Sequence, residues 1–277
     1  VSDEFRPRRI LVAVDASPHS LAALEAAAEL AAHAGAELVV LFVEDVNLLR
    51  LARLPHALHV ELPTGRARPL ETDALERQLR EQAGRAEAAL QVVSARLHLA
   101  ATFRVVRGSV QGEVLQAAGE CDLLILGRSG NTVVGPRRAL GGTARAAAQG
   151  APGPVLLWSS GSRLPRPVLA VLDAGEDVPR TLPVALGLAR AAGAELHVIA
   201  VGESAEEAGE LLARAEAWLL RRHRSARGTV VSSRERLRAA LRAAAGSVVV
   251  VDTDSPVLAD PLCRTLLEEL GSLLLVR

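Results

Sequence analysis

The sequence predicts an α/β protein built as two tandem copies of one unit, each a parallel β-sheet with helices on both faces. Two observations carry this. The first is an internal repeat. Residues 8–17, RRILVAVDAS, match residues 166–175, RPVLAVLDAG, and residues 34–43, AGAELVVLFV, match residues 192–201, AGAELHVIAV. Asp15 and Asp173 are 158 residues apart, as are Gly35 and Gly193. The intervening segments are therefore equal in length, as a duplication requires. The second is alternation. Short apolar runs rich in β-formers are separated by Ala- and Leu-rich amphipathic stretches. Strands that stay apolar throughout belong in a parallel sheet covered on both faces. The join falls near residues 159–167, SSGSRLPRP, a Ser-, Gly- and Pro-rich linker. It divides the chain into residues 1–160 and 161–277.

Each element follows in order. ILVAV at 10–14 is a strand. The Ala/Leu-rich stretch 19–35 is a helix, with Ser17 as N-cap, Pro18 at its first position and Gly35 as its stop. ELVVLFV at 37–43 is a strand. Residues 44–70 form a connection long for an α/β unit, and long connections serve as lids or contact surfaces. Its leucines Leu48, Leu49, Leu51 and Leu54 must pack on something. Residues 70–97 are an amphipathic helix. TFRVV, VQGEVLQAAG, DLLILG, TARAAAQG and PVLLW then read as strand, helix, strand, helix and strand. The second copy repeats this order, ends in SLLLVR, and lacks most of the 44–70 segment.

Composition removes several functions. The 32 basic residues balance 32 acidic ones, so no global field favours nucleic acid or an anionic membrane. There is no Lys, which excludes a Walker A loop and any lysine Schiff base. With no Tyr, three Phe and two Trp, platforms for stacking single-stranded bases are lacking. Cys121 and Cys263 are the only cysteines, too few for a disulfide framework or a zinc site. His56 and His59 show metal-like spacing, but flanking prolines argue against a shared helix, and the default is a surface loop. No catalytic set and no metal site is assigned. The opening residues show no signal-peptide pattern and no apolar run reaches membrane-spanning length, so the expectation is a soluble, cytoplasmic protein.

Ligands of such sheets bind beyond the carboxyl ends of the strands at the topological switch point. That selects the loops after Val14, Val43 and Leu126. Asp15 stands where a strand gives way to a helix. It could accept from a ribose hydroxyl or an adenine amino group, or simply satisfy its own turn. The third loop, LGRSGNTVVGPRRALGGT at 126–143, holds five glycines and three arginines. Gly127 and Gly130 permit close backbone approach. Gly142 and Thr143 open a helix whose free N–H groups attract anions. Arg128, Arg137 and Arg138 could neutralise charge or form a solvated rim.

These residues resemble the universal stress protein family, whose nucleotide-binding members carry G-x2-G-x9-G-[ST] after the fourth strand. VDAS, LFVED, VVRGSVQGEVLQAA, CDLLILGRSG and GGTARAAA…PGPVLLW appear in the family's order. The resemblance covers both halves and is specific in the first. It implies two doubly wound domains, each a five-stranded parallel sheet of order 3-2-1-4-5. It implies a stress-response protein with one adenine nucleotide, ATP or AMP with or without Mg, in the first half. Asp15, Ser17 and Val43 would serve its ribose and adenine side; Gly127, Arg128, Gly130, Gly142 and Thr143 would hold its phosphates. One departure stands out: eleven residues, not nine, separate Gly130 from Gly142. Gly135 and Pro136 suggest a bulge that leaves the helix start in place.

In the second copy Asp252 stands where Gly127 stood, Asp254 follows, and no glycine lies between Asp252 and Gly271. Carboxylates repel a polyphosphate. This half is expected to be a built-in partner without nucleotide, PVLLW and SLLLV pairing within the chain to cover each other's edge. The result would be an intramolecular pseudo-dimer, with a homodimer and a protein partner on 44–70 as further options. A nucleotide-free interaction module is the alternative function. A slow ATP hydrolase ranks third, since Asp15 is the sole carboxylate suited to act as base.

Overall fold

A computed structural model describes residues 5–61, 65–128, 140–159, 167–173, 180–269 and 272–276. The elements run β1 (Arg9–Val14), α1 (Pro18–Ala34), β2 (Glu37–Asp45), α2 (Val46–Ala52), β3 (Leu58–Glu61), β4 (Arg66–Pro69), α3 (Thr72–Leu97), β5 (Ala101–Gly108), α4 (Val110–Ala118), β6 (Leu123–Gly127), α5 (Gly142–Gly150) and β7 (Val155–Trp158). The second half follows with β8 (Val168–Asp173), α6 (Thr181–Ala191), β9 (Leu196–Val201), α7 (Ala205–Leu220), β10 (Arg227–Val231), α8 (Arg234–Ala243), β11 (Val248–Asp252), α9 (Pro256–Ala259), α10 (Pro261–Glu269) and β12 (Ser272–Val276).

Ten strands form one sheet of order β10-β9-β8-β11-β12-β7-β6-β1-β2-β5. Each half contributes five parallel strands in the order 3-2-1-4-5. The halves meet where β7 and β12 pair antiparallel, Leu156 opposite Leu274. Each last strand thus covers the other's edge, as PVLLW and SLLLV suggested.

Alternation along the strands sends side chains to two cores. Ile10, Val12 and Val14 join one face with α1, α3, α6 and α7. Leu11 joins the other with α4, α5, α8 and α10. Both faces are covered, which is why the strands read as unbroken apolar runs. The Ala-rich α1 packs on α6 of the other half within the first core. Near the start of the chain, Phe5 lies against Gly187 of α6 so closely that no side chain fits there.

Helix ends follow their residues. Ser17 caps α1 by accepting the Ser20 N–H at 3.2 Å, and Gly35 closes it at φ 65°. The 44–70 connection is not irregular. Asp45 caps α2 through the Asn47 N–H at 2.9 Å, and β3 and β4 form a separate two-stranded sheet. Leu49 and Ala52 pack on Leu75 and Leu79 of α3. Leu48, Leu51, Leu54, Leu58 and Val60 are exposed.

Candidate functional site

Three strand ends converge in the first half. β1 lies between β2 and β6, with Val14 opposite Phe42 and Ala13 opposite Leu126. Asp15, Val43 and Gly127 therefore line the carboxyl edge of the sheet, where the connections from β1 and β6 diverge.

Asp15 sits in a tight turn. Its Oδ1 accepts the Ser17 N–H at 3.0 Å, and its own N–H donates to Ser20 Oγ at 3.2 Å. Ala16 adopts φ 59°, the left-handed region that L-residues avoid. The turn leaves Asp15 half-buried at the strand end. Ser17 is buried and its hydroxyl oxygen is the cap of α1.

Val43 is half-buried and opposite Val106 of β5. Because β1 pairing ends at Phe42, β2 projects past its neighbour here. Alongside, Arg107 of β5 places Nε at 2.8 Å and Nη2 at 2.7 Å from Glu44 Oε2. The Glu44 hydrogen bond and charge hold the Arg107 proton more tightly than usual.

The glycines divide into two kinds. A Cβ on Gly127 would meet the His19 carbonyl carbon at 2.9 Å and its oxygen at 3.0 Å. The first turn of α1 passes too close to β6 for a side chain, so Gly127 is required by packing. A Cβ on Gly142 would meet only Gln111 Nε2, at 3.6 Å, an ordinary contact. What Gly142 and Gly141 provide is a bare helix start. Gly141 is the N-cap of α5 and offers no side chain, so the first N–H groups have no side-chain cap. Thr143, half-exposed, is the second residue of that helix.

Arg128 is half-buried, and its backbone forms the neck of the glycine loop. Its N–H donates to the Trp158 carbonyl at 3.1 Å, and its carbonyl accepts the Gly141 N–H at 2.9 Å. The helix start is thus tied to the end of β6, and the two added residues fall between Arg128 and Gly141. Gly130, Gly135, Pro136, Arg137 and Arg138 lie outside the described residues. Gln111, which no motif singles out, stands in the first turn of α4 beside Gly142. Its position directly after a strand's carboxyl end was the available signal.

The second half has the same strand ends with other chemistry. Asp173 is opposite Val201. Its Oδ2 accepts the hydroxyl proton of Ser255, which is buried and caps α9. Asp252 Oδ1 accepts the Asp254 N–H at 2.8 Å. Asp260 Oδ1 accepts the N–H groups of Leu262 and Cys263 at 2.8 and 3.2 Å, opening α10. The Cys263 N–H above all holds the Asp260 carboxyl below its ordinary range, with Arg238 and Arg234 assisting. A cavity of about 450 Å³ opens between Asp173, Asp260 and the starts of α7 and α8. Among the described residues, no three His, Cys, Asp or Glu side chains gather as a metal ion would need. His56 lies in a turn and His59 in β3, so they share no helix face.

The sequence profile of the Universal stress protein family matches residues 7–158, more than half of the chain. The chain belongs to the universal stress protein family. Among solved structures, a universal stress protein from Archaeoglobus fulgidus DSM 4304 superposes with a TM-score of 0.72 at 16% identity, covering 99% of each chain. A candidate member from Pseudomonas aeruginosa UCBPP-PA14 gives 0.59 at 15% identity, covering 98% of this chain and 93% of its own. At such identities the likeness concerns the fold. No curated protein matches.

The universal stress protein profile ends at Trp158, whereas the superposition on the Archaeoglobus protein runs through both halves. The second half therefore keeps the architecture after its sequence has left the pattern. Among the described residues no helix is long and apolar enough to cross a membrane.

Proposed function

We propose that the first half binds one adenine nucleotide, ATP or AMP with or without Mg, and that the protein acts as a stress-linked regulator or scaffold in the cytoplasm. One observation carries this reading: the uncapped start of α5 is tied by the Arg128–Gly141 hydrogen bond to the strand ends that present Asp15 and Val43. A helix start with bare N–H groups attracts phosphate. In this reading Gly130, Gly142 and Thr143 hold phosphate oxygens, with Arg128 and Gln111 at the rim. Asp15 accepts from the ribose, and the Val43 backbone meets the adenine. Ser17 and Gly127 act indirectly, by setting the turn and bringing α1 against β6.

Calorimetry with ATP and with AMP tests the proposal. Binding of one equivalent is expected, weakened by about tenfold or more in Asp15→Ala and Thr143→Val. No heat and no thermal shift at millimolar nucleotide would sink it.

A nucleotide-free interaction module is the second reading. It is favoured by the exposed Leu48 and Leu51 on α2, Leu54 just after it, and Leu58 and Val60 on β3, since apolar exposure on neighbouring elements marks contact surfaces. Under it, Leu51→Asp abolishes a cellular role that Asp15→Ala leaves intact.

A further inference from the structure

We propose that the second-half cavity binds a small organic cation, an amine with an apolar body. This stands apart from the nucleotide reading. The cavity, about 450 Å³, lies at the carboxyl ends of β8, β9 and β10. Small-molecule sites commonly span roughly 300–1,000 Å³ and combine an apolar lining with a few placed polar groups. Here Val201, Leu237 and Val257 supply the apolar surface.

The charged groups decide the ligand class. Asp173, Glu203, Glu207 and Asp260 line the cavity, with Arg234 as the cation among the lining residues. Arg234 lies 3.6 Å from Asp260 Oδ2, and Arg238 3.7 Å. The two arginines share that one carboxylate, and the cavity keeps an excess of negative charge only through Asp173, Glu203 and Glu207. The start of α8 is also served, because Ser233 Oγ accepts the Arg236 N–H at 3.2 Å. Glu203 and Glu207 differ: among the described residues neither has an ion-pair partner.

Their placement is built by the backbone. A Cβ on Gly202 would stand 2.8 Å from the Ala208 nitrogen. Glycine lets the first turn of α7 close on the end of β9. Glu207 Oε2 then takes the Glu203 N–H at 2.6 Å, which fixes both residues at the mouth. Two carboxylates there repel phosphate and attract an ammonium group, while the apolar wall receives its carbon body. The half expected to be only a built-in partner thus holds a site of opposite charge preference to the first.

Calorimetry on the full chain with phenethylamine, 2-phenylethanol and 3-phenylpropionate separates charge from shape. The amine is expected to bind about tenfold or more tightly than the alcohol or the carboxylate. Combined Glu203→Gln and Glu207→Gln should remove that preference, while the amide oxygen introduced by Glu207→Gln still accepts the backbone N–H of position 203. Ser232→Trp, placed on the rim, should block the amine without lowering the thermal midpoint. Equal binding of all three probes, no heat from the amine, or unchanged amine binding in the double variant would overturn the proposal. Preference for 3-phenylpropionate would also overturn it and point to Arg234. Repeating the titration in Asp15→Ala keeps the two readings apart: amine binding should persist where ATP binding is weakened.

Discussion

The fourth strand of each half ends in opposite chemistry. In the first half, Gly127 lets α1 approach within contact distance of β6, and a bare helix start follows at Gly141. In the second, Asp252 takes that place, and the chain turns through α9 and α10, each opened by a capping side chain, Ser255 and Asp260. One arrangement leaves backbone N–H groups without a side-chain cap. The other satisfies them with its own oxygens and sets Asp260 in the cavity wall. A strand framework can therefore be duplicated intact while its loops invert the charge they present.

The two halves depend on each other most at their seam. Leu274 is fully buried where β12 meets β7, so Leu274→Ala should cost about 2–5 kcal/mol. Both halves should lose stability together in one denaturant transition. Two separate transitions, with the first half unaffected, would show that the shared sheet does not couple them.

Gly127→Ala should cost about 1–3 kcal/mol, because the His19 backbone must move. Asp252→Ala, at the matching position, should cost less, since a side chain already stands there. Chemical unfolding of the two variants side by side checks the difference. A smaller loss at Gly127 would remove its packing role.

Ser17→Ala should cost about 1 kcal/mol through the lost cap of α1. If Ser17 serves nucleotide only by setting the turn, Ser17→Gly should keep most of the stability and of the ATP affinity.

Acid sharpens the contrast least. The Asp260 carboxyl is held below its ordinary value, so its contribution is present above the unfolded value near pH 4. It is lost as pH falls through the lowered folded value. Asp260→Asn should therefore lower the thermal midpoint at neutral pH and flatten its fall on acidification.

Much of this was legible in the chain. Ser17, Pro18 and Gly35 marked the ends of α1, and the apolar runs marked the strands, because these signals are local. The meeting of PVLLW and SLLLV followed from two edges needing cover, whereas its antiparallel sense came from the fold. The 44–70 connection was less legible. Leu58 and Val60 alternate with His59 and Glu61, but four-residue strands standing alone are a weak signal. Gly127 was expected to hold phosphate, and nothing local showed that α1 also lies against it.

The duplication, the alternation of strands and helices, and the loss of the glycine pattern from the second half are written in the chain. Periodicity, caps and repeat spacing are properties of neighbouring residues. Which glycine is packed, which is bare, and the cavity of the second half emerge from the folded arrangement. Those depend on how closely α1 crosses β6 and how α7, α8 and α10 stand around β9, distances set by elements far apart in the chain.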